Sequence, residues 1–287
     1  MGLCCSQRRM ARLQIRSMVL LLLAGGVLVA AHERHRWRQT LSPLWVQTDH
    51  DIPYGPRSEN RLDILQRRWV DAQVDRPGVI VFHGGGWASG SREDVLVRVC
   101  HQYLEHGFLV ANVDYRKGSI AAAVQDAVLA LQWFTGHAPA YGVDRDRIVV
   151  TGESAGAHLA LMAAFQSGER TAAVVNFYGV SDLTLLMDRP AVRAVLPPED
   201  PERAARALSP VTHVRRGLPP VFSIHGTADG IVPMEQTALL ARAIKRAGGE
   251  AFELYIEGGA HGFSMDRLQA TYSRVFEFLQ NRRIAER

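Results

Sequence analysis

Cysteine is scarce in this chain. Of its 287 residues only Cys4, Cys5 and Cys100 carry a thiol, and a domain that starts beyond the amino-terminal region keeps Cys100 alone, so no internal disulfide can staple it. Glycine and proline, 25 and 13 residues, are too few for a collagen-like or low-complexity chain. A hydrophobic content of 47% against 22% charged residues excludes intrinsic disorder and is enough for a sizeable core. No internal repeat is visible. G-x-G-x-x-G and a Walker lysine are both missing, which removes the dinucleotide and phosphate-loop readings. The histidines, including His32 and His35, form no metal-ligand set with suitable carboxylate or cysteine partners, so neither a metal nor a cofactor is expected.

Basic character is missing from the body as well. Arg8, Arg9, Arg12, Arg16, Arg34, Arg36 and Arg38 face only Glu33 in the first 38 residues, so with the whole chain at +4 the remainder sums to −2. A nucleic-acid partner is therefore not expected.

The amino terminus reads as an address. Met18–Ala31 is a run of fourteen apolar or small residues behind an arginine-bearing segment. As a helix it would span roughly 21 Å, short of the roughly 30 Å hydrocarbon core. Val29 and Ala31 stand at the −3 and −1 positions of a cut after Ala31. Residues 1–31 are thus expected to be a secretory signal peptide or an uncleaved signal-anchor, with 32–44 as linker. The protein is then exported, or held at a membrane through that segment only. Met1–Ser6 (MGLCCS) also fits the loose myristoylation pattern, with two neighbouring cysteines.

From about Trp45 to residue 287 the chain alternates strand-like and helix-like stretches. Val79–Phe82, Phe108–Val113, Ile148–Thr151, Ala172–Phe177, Val221–Ile224 and Phe252–Ile256 are short apolar runs, most without a clean period of two, as strands buried on both faces require. Glu93–His106, Ile120–Phe134, Ala155–Gln166, Met234–Ala247 and Ser264–Arg282 have helical spacing. Trp45–Ile52 and Arg61–Leu65 read as an antiparallel pair joined through Pro53–Pro56. The expected class is α/β, a mostly parallel sheet with helices on both faces. Residues 182–220, rich in proline, are too long for a simple loop and are expected as a lid-like insertion over the carboxyl edge of the sheet.

Three stretches carry chemistry. Gly152-Glu153-Ser154-Ala155-Gly156 follows an apolar strand and opens a helix. G-x-S-x-G in that context is a tight turn that presents the Ser154 hydroxyl at the positive end of a helix, and the strand before it with the helix after it favours this over an ordinary glycine-bounded N-cap serine. His83-Gly84-Gly85-Gly86-Trp87 also follows a strand, and its glycines free backbone amides to converge on a developing oxyanion. The donors expected are Gly84, Gly85 and Ala155, with His83 as a local hydrogen-bonding residue. After Ser154 the carboxylates Asp182, Asp188 and Asp229 precede His261. Asp229 is favoured because its loop follows directly on Val221–Ile224; Asp182 is the alternative, otherwise a turn or cap residue. His261 sits between glycines, as a loop that bends toward the serine requires, and is the only histidine beyond Asp229. His158 is read as a core or helix-face residue, and Trp87 and Tyr178 as pocket walls.

HGGGW, GESAG, HGTADGIVP and GGAHGF in this order resemble an α/β-hydrolase of the carboxylesterase kind. The resemblance is to the esterase/lipase group with an HGGG oxyanion loop, which overlaps the hormone-sensitive-lipase-like and feruloyl-esterase-like families, and it covers about residues 45–283. The chain departs from the usual hormone-sensitive-lipase-like pattern in having Glu153 for Asp and Ala157 for Gly. The resemblance implies cofactor-independent hydrolysis of small-molecule carboxylic esters, with Ser154 as nucleophile, Asp229 as orienting acid and His261 as base. Two other readings stay open. Ser154–His158 (SAGAH) also resembles kynurenine formamidases, and a hydrolase fold can be retained for binding alone.

Overall fold

A computed structural model describes residues 46–68 and 75–286. The expected signal segment 1–31, the linker 32–44 and Trp45 lie outside the described residues. Eight strands form one sheet: β1 Val46–Pro53, β2 Arg61–Arg67, β3 Arg76–Phe82, β4 Leu109–Val113, β5 Val143–Glu153, β6 Ala173–Phe177, β7 Val221–Gly226 and β8 Ala251–Ile256. Their order is β1-β2-β4-β3-β5-β6-β7-β8. β1 and β2 pair antiparallel, as do β2 and β4, and every later pairing is parallel. β3, β4, β6 and β7 are buried at every residue. That is why their sequences are continuous apolar runs rather than alternations: both faces of the strand meet helices.

The helices are α1 His101–Glu105, α2 Ile120–His137, α3 Ala155–Gln166, α4 Pro190–Arg193, α5 Pro201–Ala207, α6 Glu235–Arg246 and α7 Met265–Asn281. α3 buries every residue from Ala155 to Phe165 and runs beside β5 and β6 as a central core helix. α7 is one-sided: Leu268, Tyr272, Val275, Phe276 and Leu279 are all buried, the stripe its spacing predicts. At the start of α2, the Ser119 hydroxyl accepts the Ala122 amide. The Arg116 guanidinium grips the buried Asp126 carboxylate of the same helix at 2.8–3.1 Å.

Two expectations are corrected. The single helix read over Glu93–His106 is three pieces: a 3-10 turn Arg92–Val95, a π-helical turn Leu96–Cys100, and the short α1. Val95, Val97 and Val99 are β-branched and propagate an α-helix poorly. Tertiary ion pairs also seize the segment, from Arg92 to Asp63 and Asp114 and from Arg98 to Glu153. Residues 182–220, expected as a lid-like insertion, are built into the core. Leu183, Leu186, Val192, Val195, Leu196 and Ala205 are buried in the main hydrophobic cluster, the Ile120 amide donates to the Val195 carbonyl, and the Arg215 guanidinium to the Phe165 carbonyl.

Candidate active site

β5 runs directly into the turn Gly152–Gly156. Ser154 adopts φ 56°, ψ −119°, a left-handed conformation that costs a non-glycine residue about 1–3 kcal/mol and persists only where the surroundings enforce it. They do. A Cβ on Gly152 would stand 2.4 Å from the Gly156 carbonyl carbon, and one on Gly156 would stand 2.1 Å from the Phe82 oxygen. The Ser154 amide is held by the Phe177 carbonyl at 2.9 Å. The hydroxyl therefore stands at the amino end of α3, the positive end of its dipole.

The structure brings Ser154, His261 and Asp229 together. His261 Nε2 lies 2.9 Å from Ser154 Oγ, and His261 Nδ1 lies 2.7 Å from Asp229 Oδ2. The Asp229 side chain is fully buried. Its Oδ1 accepts the amides of Ile231 and Val232 at 2.9 and 2.8 Å. His225, from the end of β7, was not singled out in the sequence. Its Nε2 reaches both the Val232 carbonyl at 2.8 Å and Asp229 Oδ2 at 3.3 Å, while Thr237 Oγ1 lies 2.9 Å from its Nδ1. Burial lowers the His225 pKa, against the Val232 carbonyl and the Asp229 carboxylate, which raise it. The ring pins the loop that carries Asp229. Asp182 instead caps a 3-10 turn through the Thr184 amide.

The glycine loop lies against Ser154: a Cβ on Gly84 would be 3.7 Å from Ser154 Cβ. Tyr115 Oη donates to the His83 carbonyl at 2.8 Å, and His83 Nδ1 lies 2.6 Å from the Gly84 carbonyl. In a trans peptide C=O and N–H point opposite ways. Tethering these two carbonyls therefore turns the amides of Gly84 and Gly85 away from the tether. Among the described residues no hydrogen bond takes up either amide. His83 is fully buried and stacked on Tyr115, with Nε2 3.4 Å from Asp114 Oδ1. Burial opposes the Asp114 charge, yet His83, Lys117 and Arg92 around it hold its pKa below the usual carboxylate range.

A cleft of about 580 Å³ opens over Ser154, lined by Gly84, Gly85, Arg98, Glu153, Tyr178, Ile231 and His261 among others, a volume in the range of small-molecule sites. Trp87, expected as a pocket wall, does not line it. Its indole is buried behind the loop and donates from Nε1 to His158 Nδ1 at 3.2 Å, and His158 Nε2–H in turn donates to the Leu208 carbonyl at 2.8 Å. An indole N–H that finds a buried acceptor is better satisfied inward than in the cleft. His158 is accordingly a core residue, its pKa lowered to about 4 by burial. Tyr178 does line the cleft, its ring edge-on to His261 with centroids 4.8 Å apart. No residue of the 182–220 segment lines this cleft; Arg189 reaches its rim through the Ile231 carbonyl. Glu153 and Arg98 are additional cleft residues, joined at 3.2 Å. Glu153 carried a sequence signal, its place just before Ser154 in the G-x-S-x-G stretch, whereas Arg98 carried none.

Comparison with known proteins points the same way as this geometry. A probable carboxylic ester hydrolase of Mycobacterium tuberculosis, LipM, is 33% identical over 215 residues, which are 66% of this chain and 49% of that protein. A probable isoprenylcysteine alpha-carbonyl methylesterase of Arabidopsis thaliana, ICMEL1, is 29% identical over 79% of this chain and 54% of its own length. The chain thus spans about half the length of the curated relatives it matches. Among solved structures, the propionate-bound esterase Est2 of Thermogutta terrifontis superposes with a TM-score of 0.72 at 29% identity, covering 85% of this chain and 97% of that one. The sheet, its helices and the serine turn are those of the α/β-hydrolase fold. Residues 62–244, which run from β2 through the glycine loop, the serine turn and Asp229 into α6, match the BD-FAE family, and the chain belongs to it.

Proposed function

We propose that the protein is a serine hydrolase that cleaves carboxylic esters of small to medium acyl groups through an acyl-enzyme intermediate. The observation that carries this is the chain of contacts from Ser154 Oγ through His261 to Asp229, at 2.9 and 2.7 Å. His261 Nε2 takes the Ser154 proton as Oγ attacks the ester carbonyl, and Asp229 keeps the imidazole proton on Nδ1 and stabilises the imidazolium. The amides of Gly84, Gly85 and Ala155 receive the negative charge of the tetrahedral intermediate, each such donor being worth about 2.7–4 kcal/mol in comparable sites. His261 then protonates the departing alcohol, and a water activated by the same ring releases the acid. The similarity to named ester hydrolases supports the reaction class. The open cleft supports small-molecule esters as substrates, and export or anchoring through residues 1–31 belongs to the same proposal.

The test is hydrolysis of p-nitrophenyl esters of increasing acyl length by the full chain and by Ser154→Ala. Loss of at least about 10³-fold in kcat, with retained folding, is expected, since removing a nucleophile of this kind leaves only the contribution of the oxyanion site and binding. Equal turnover by both proteins overturns the proposal.

A further inference from the structure

The two in-plane bonds of His261, to Ser154 and Asp229, leave the ring free to tip about the line joining its nitrogens. Its loop is pinned at the backbone, the Gly258 amide on Thr227 Oγ1 at 2.8 Å and the Gly259 amide on the Ile256 carbonyl at 2.9 Å, but neither bond reaches the ring. Tyr178 packs against the imidazole ring with centroids 4.8 Å apart and planes at 64°, and the same phenol packs in an edge arrangement with Phe263 at 5.1 Å. Tyr178 is itself unusually constrained. Its φ is 42°, its amide donates to the Ile224 carbonyl at 2.8 Å, and its hydroxyl donates to Glu153 Oε1 at 2.7 Å. Glu153 immediately precedes the nucleophile, so the serine turn fixes its carboxylate. Arg98 Nη2 approaches the same oxygen at 3.2 Å from the far wall, out of the π-helical turn Leu96–Cys100. Such turns are rare and concentrate at functional sites. Arg98 keeps 31% of its side chain exposed, whereas Glu153 keeps 11%, so this is an ion pair built into the cleft wall. Pairs of this kind are weak evidence for stability in their own right.

We propose that Arg98, Glu153 and Tyr178 are a positioning unit for the base: Glu153 anchors the Tyr178 hydroxyl, the Tyr178 ring holds the imidazole of His261 at its working tilt, and Arg98 balances the carboxylate. The inference rests on His261 being the base and adds the residues that set its orientation and local charge. The titratable and charged groups around the imidazole are Asp229 from the loop after β7 and His225 from the end of β7, with Tyr178 after β6, Glu153 from β5, and Arg98 and Asp94 from the segment before α1 lining the same cleft. Of these, Glu153 and Arg98 have opposite signs and can be neutralised separately.

The experiment measures kcat and KM for p-nitrophenyl butyrate with the full chain from about pH 5 to about pH 9, where a histidine base makes its acid limb visible. Glu153→Gln keeps an acceptor for Tyr178 but leaves Arg98 uncompensated; the protonated imidazole is disfavoured and the acid limb moves to lower pH. Arg98→Gln leaves Glu153 uncompensated and moves the limb to higher pH, and Arg98→Lys restores it. Tyr178→Phe keeps the ring and loses the anchor, lowering kcat about tenfold at unchanged KM, within the roughly hundredfold cost of a misplaced catalytic group. A purely structural role would not produce limb shifts of opposite sign. Limbs that stay put or move together, or wild-type kcat in Tyr178→Phe, overturn the unit, and the last variant decides the matter if the charge variants do not fold. Ser154→Ala is run alongside. If it is dead while the other variants behave as wild type, the unit alone falls; if it is active, the hydrolase reading falls and takes the unit with it.

Discussion

Asp229 illustrates what a buried carboxylate needs in order to serve one partner. Two amides occupy Oδ1, while His261 and His225 share Oδ2. Replacing it by Asn puts an NH2 where His261 Nδ1–H now donates, so the imidazole adopts the tautomer that cannot accept the serine proton. A fall of about 10⁴-fold in kcat is expected, as for the same exchange in a serine protease triad. Steady-state kinetics on the folded variant check it, and near-wild-type turnover would reopen Asp182. His158 supports a second prediction, on stability. Burial lowers its pKa to about 4 from an ordinary 6.5, so between those values the unfolded chain binds a proton that the folded one refuses. The unfolded state then holds more protons, and stability falls as pH drops through the window, by up to about 3 kcal/mol from this residue. In His158→Gln the amide can still accept from Trp87 and donate to Leu208 without titrating, so Tm should fall less steeply than in wild type between pH 6.5 and pH 4. Parallel Tm curves would show that His158 is not the group responsible. At this scale the convergence of Ser154, Asp229 and His261 was legible because each follows a strand in a glycine-bearing loop. Arg98 was not, since nothing local marks a residue whose partner lies 55 positions away. Trp87 misled, since an aromatic beside a glycine loop looks like a pocket wall until its N–H is seen to have a buried acceptor.

The serine turn works only because two elements pass each other without side chains between them. Gly156 meets the backbone oxygens of Phe82 and His83, at 2.1 and 2.5 Å from a would-be Cβ. These are main-chain atoms of β3 and of the loop that carries Gly84, and neither can swing aside as a flexible side chain could. Gly156→Ala must therefore push α3 off β3 and spread the serine from the glycine loop. We expect a loss of about 1–3 kcal/mol in stability, with a fall in fluorophosphonate labelling larger than the loss of folded protein explains. Denaturant titration and labelling rates on the same preparation separate the two effects, and unchanged labelling would show that the glycine loop tolerates the displacement. Elements with a strong burial pattern, such as the continuous strands β3, β4, β6 and β7 or the striped helix α7, were readable from periodicity because burial is what creates the pattern. The segment from Arg92 to Glu105 was not. Its apolar spacing is helical, but ion pairs to three other elements decide its winding, and periodicity carries no information about them.

Across the whole molecule the least legible region is 182–220. Its prolines announce irregular structure, and irregular structure beyond a strand's carboxyl end invites the reading of a mobile cover. The prolines instead start short helices, with Pro190 and Pro201 in their first turns, where the missing N–H costs nothing. Val192 and Ala205 of those helices are buried in the same core as α2 and α3. This distinguishes two outcomes for a mutation there. Were the segment a cover, truncating one of its apolar side chains would change which acyl chains are accepted while leaving stability nearly intact. Built into the core, it should do the reverse. Leu183 is fully buried, and its amide is held by the Ser209 hydroxyl at 2.8 Å. Leu183→Ala should cost about 2–5 kcal/mol, the range for leucine truncation in a packed interior, while the acyl-length profile of p-nitrophenyl ester hydrolysis by the folded fraction keeps its optimum. Leu183, Leu186, Val192, Val195, Leu196 and Ala205 of the segment touch core, whereas the cleft is walled by β5, the glycine loop, the π-turn and the loops of Tyr178, Ile231 and His261. A shifted optimum at unchanged stability would return 182–220 to the substrate side of the molecule.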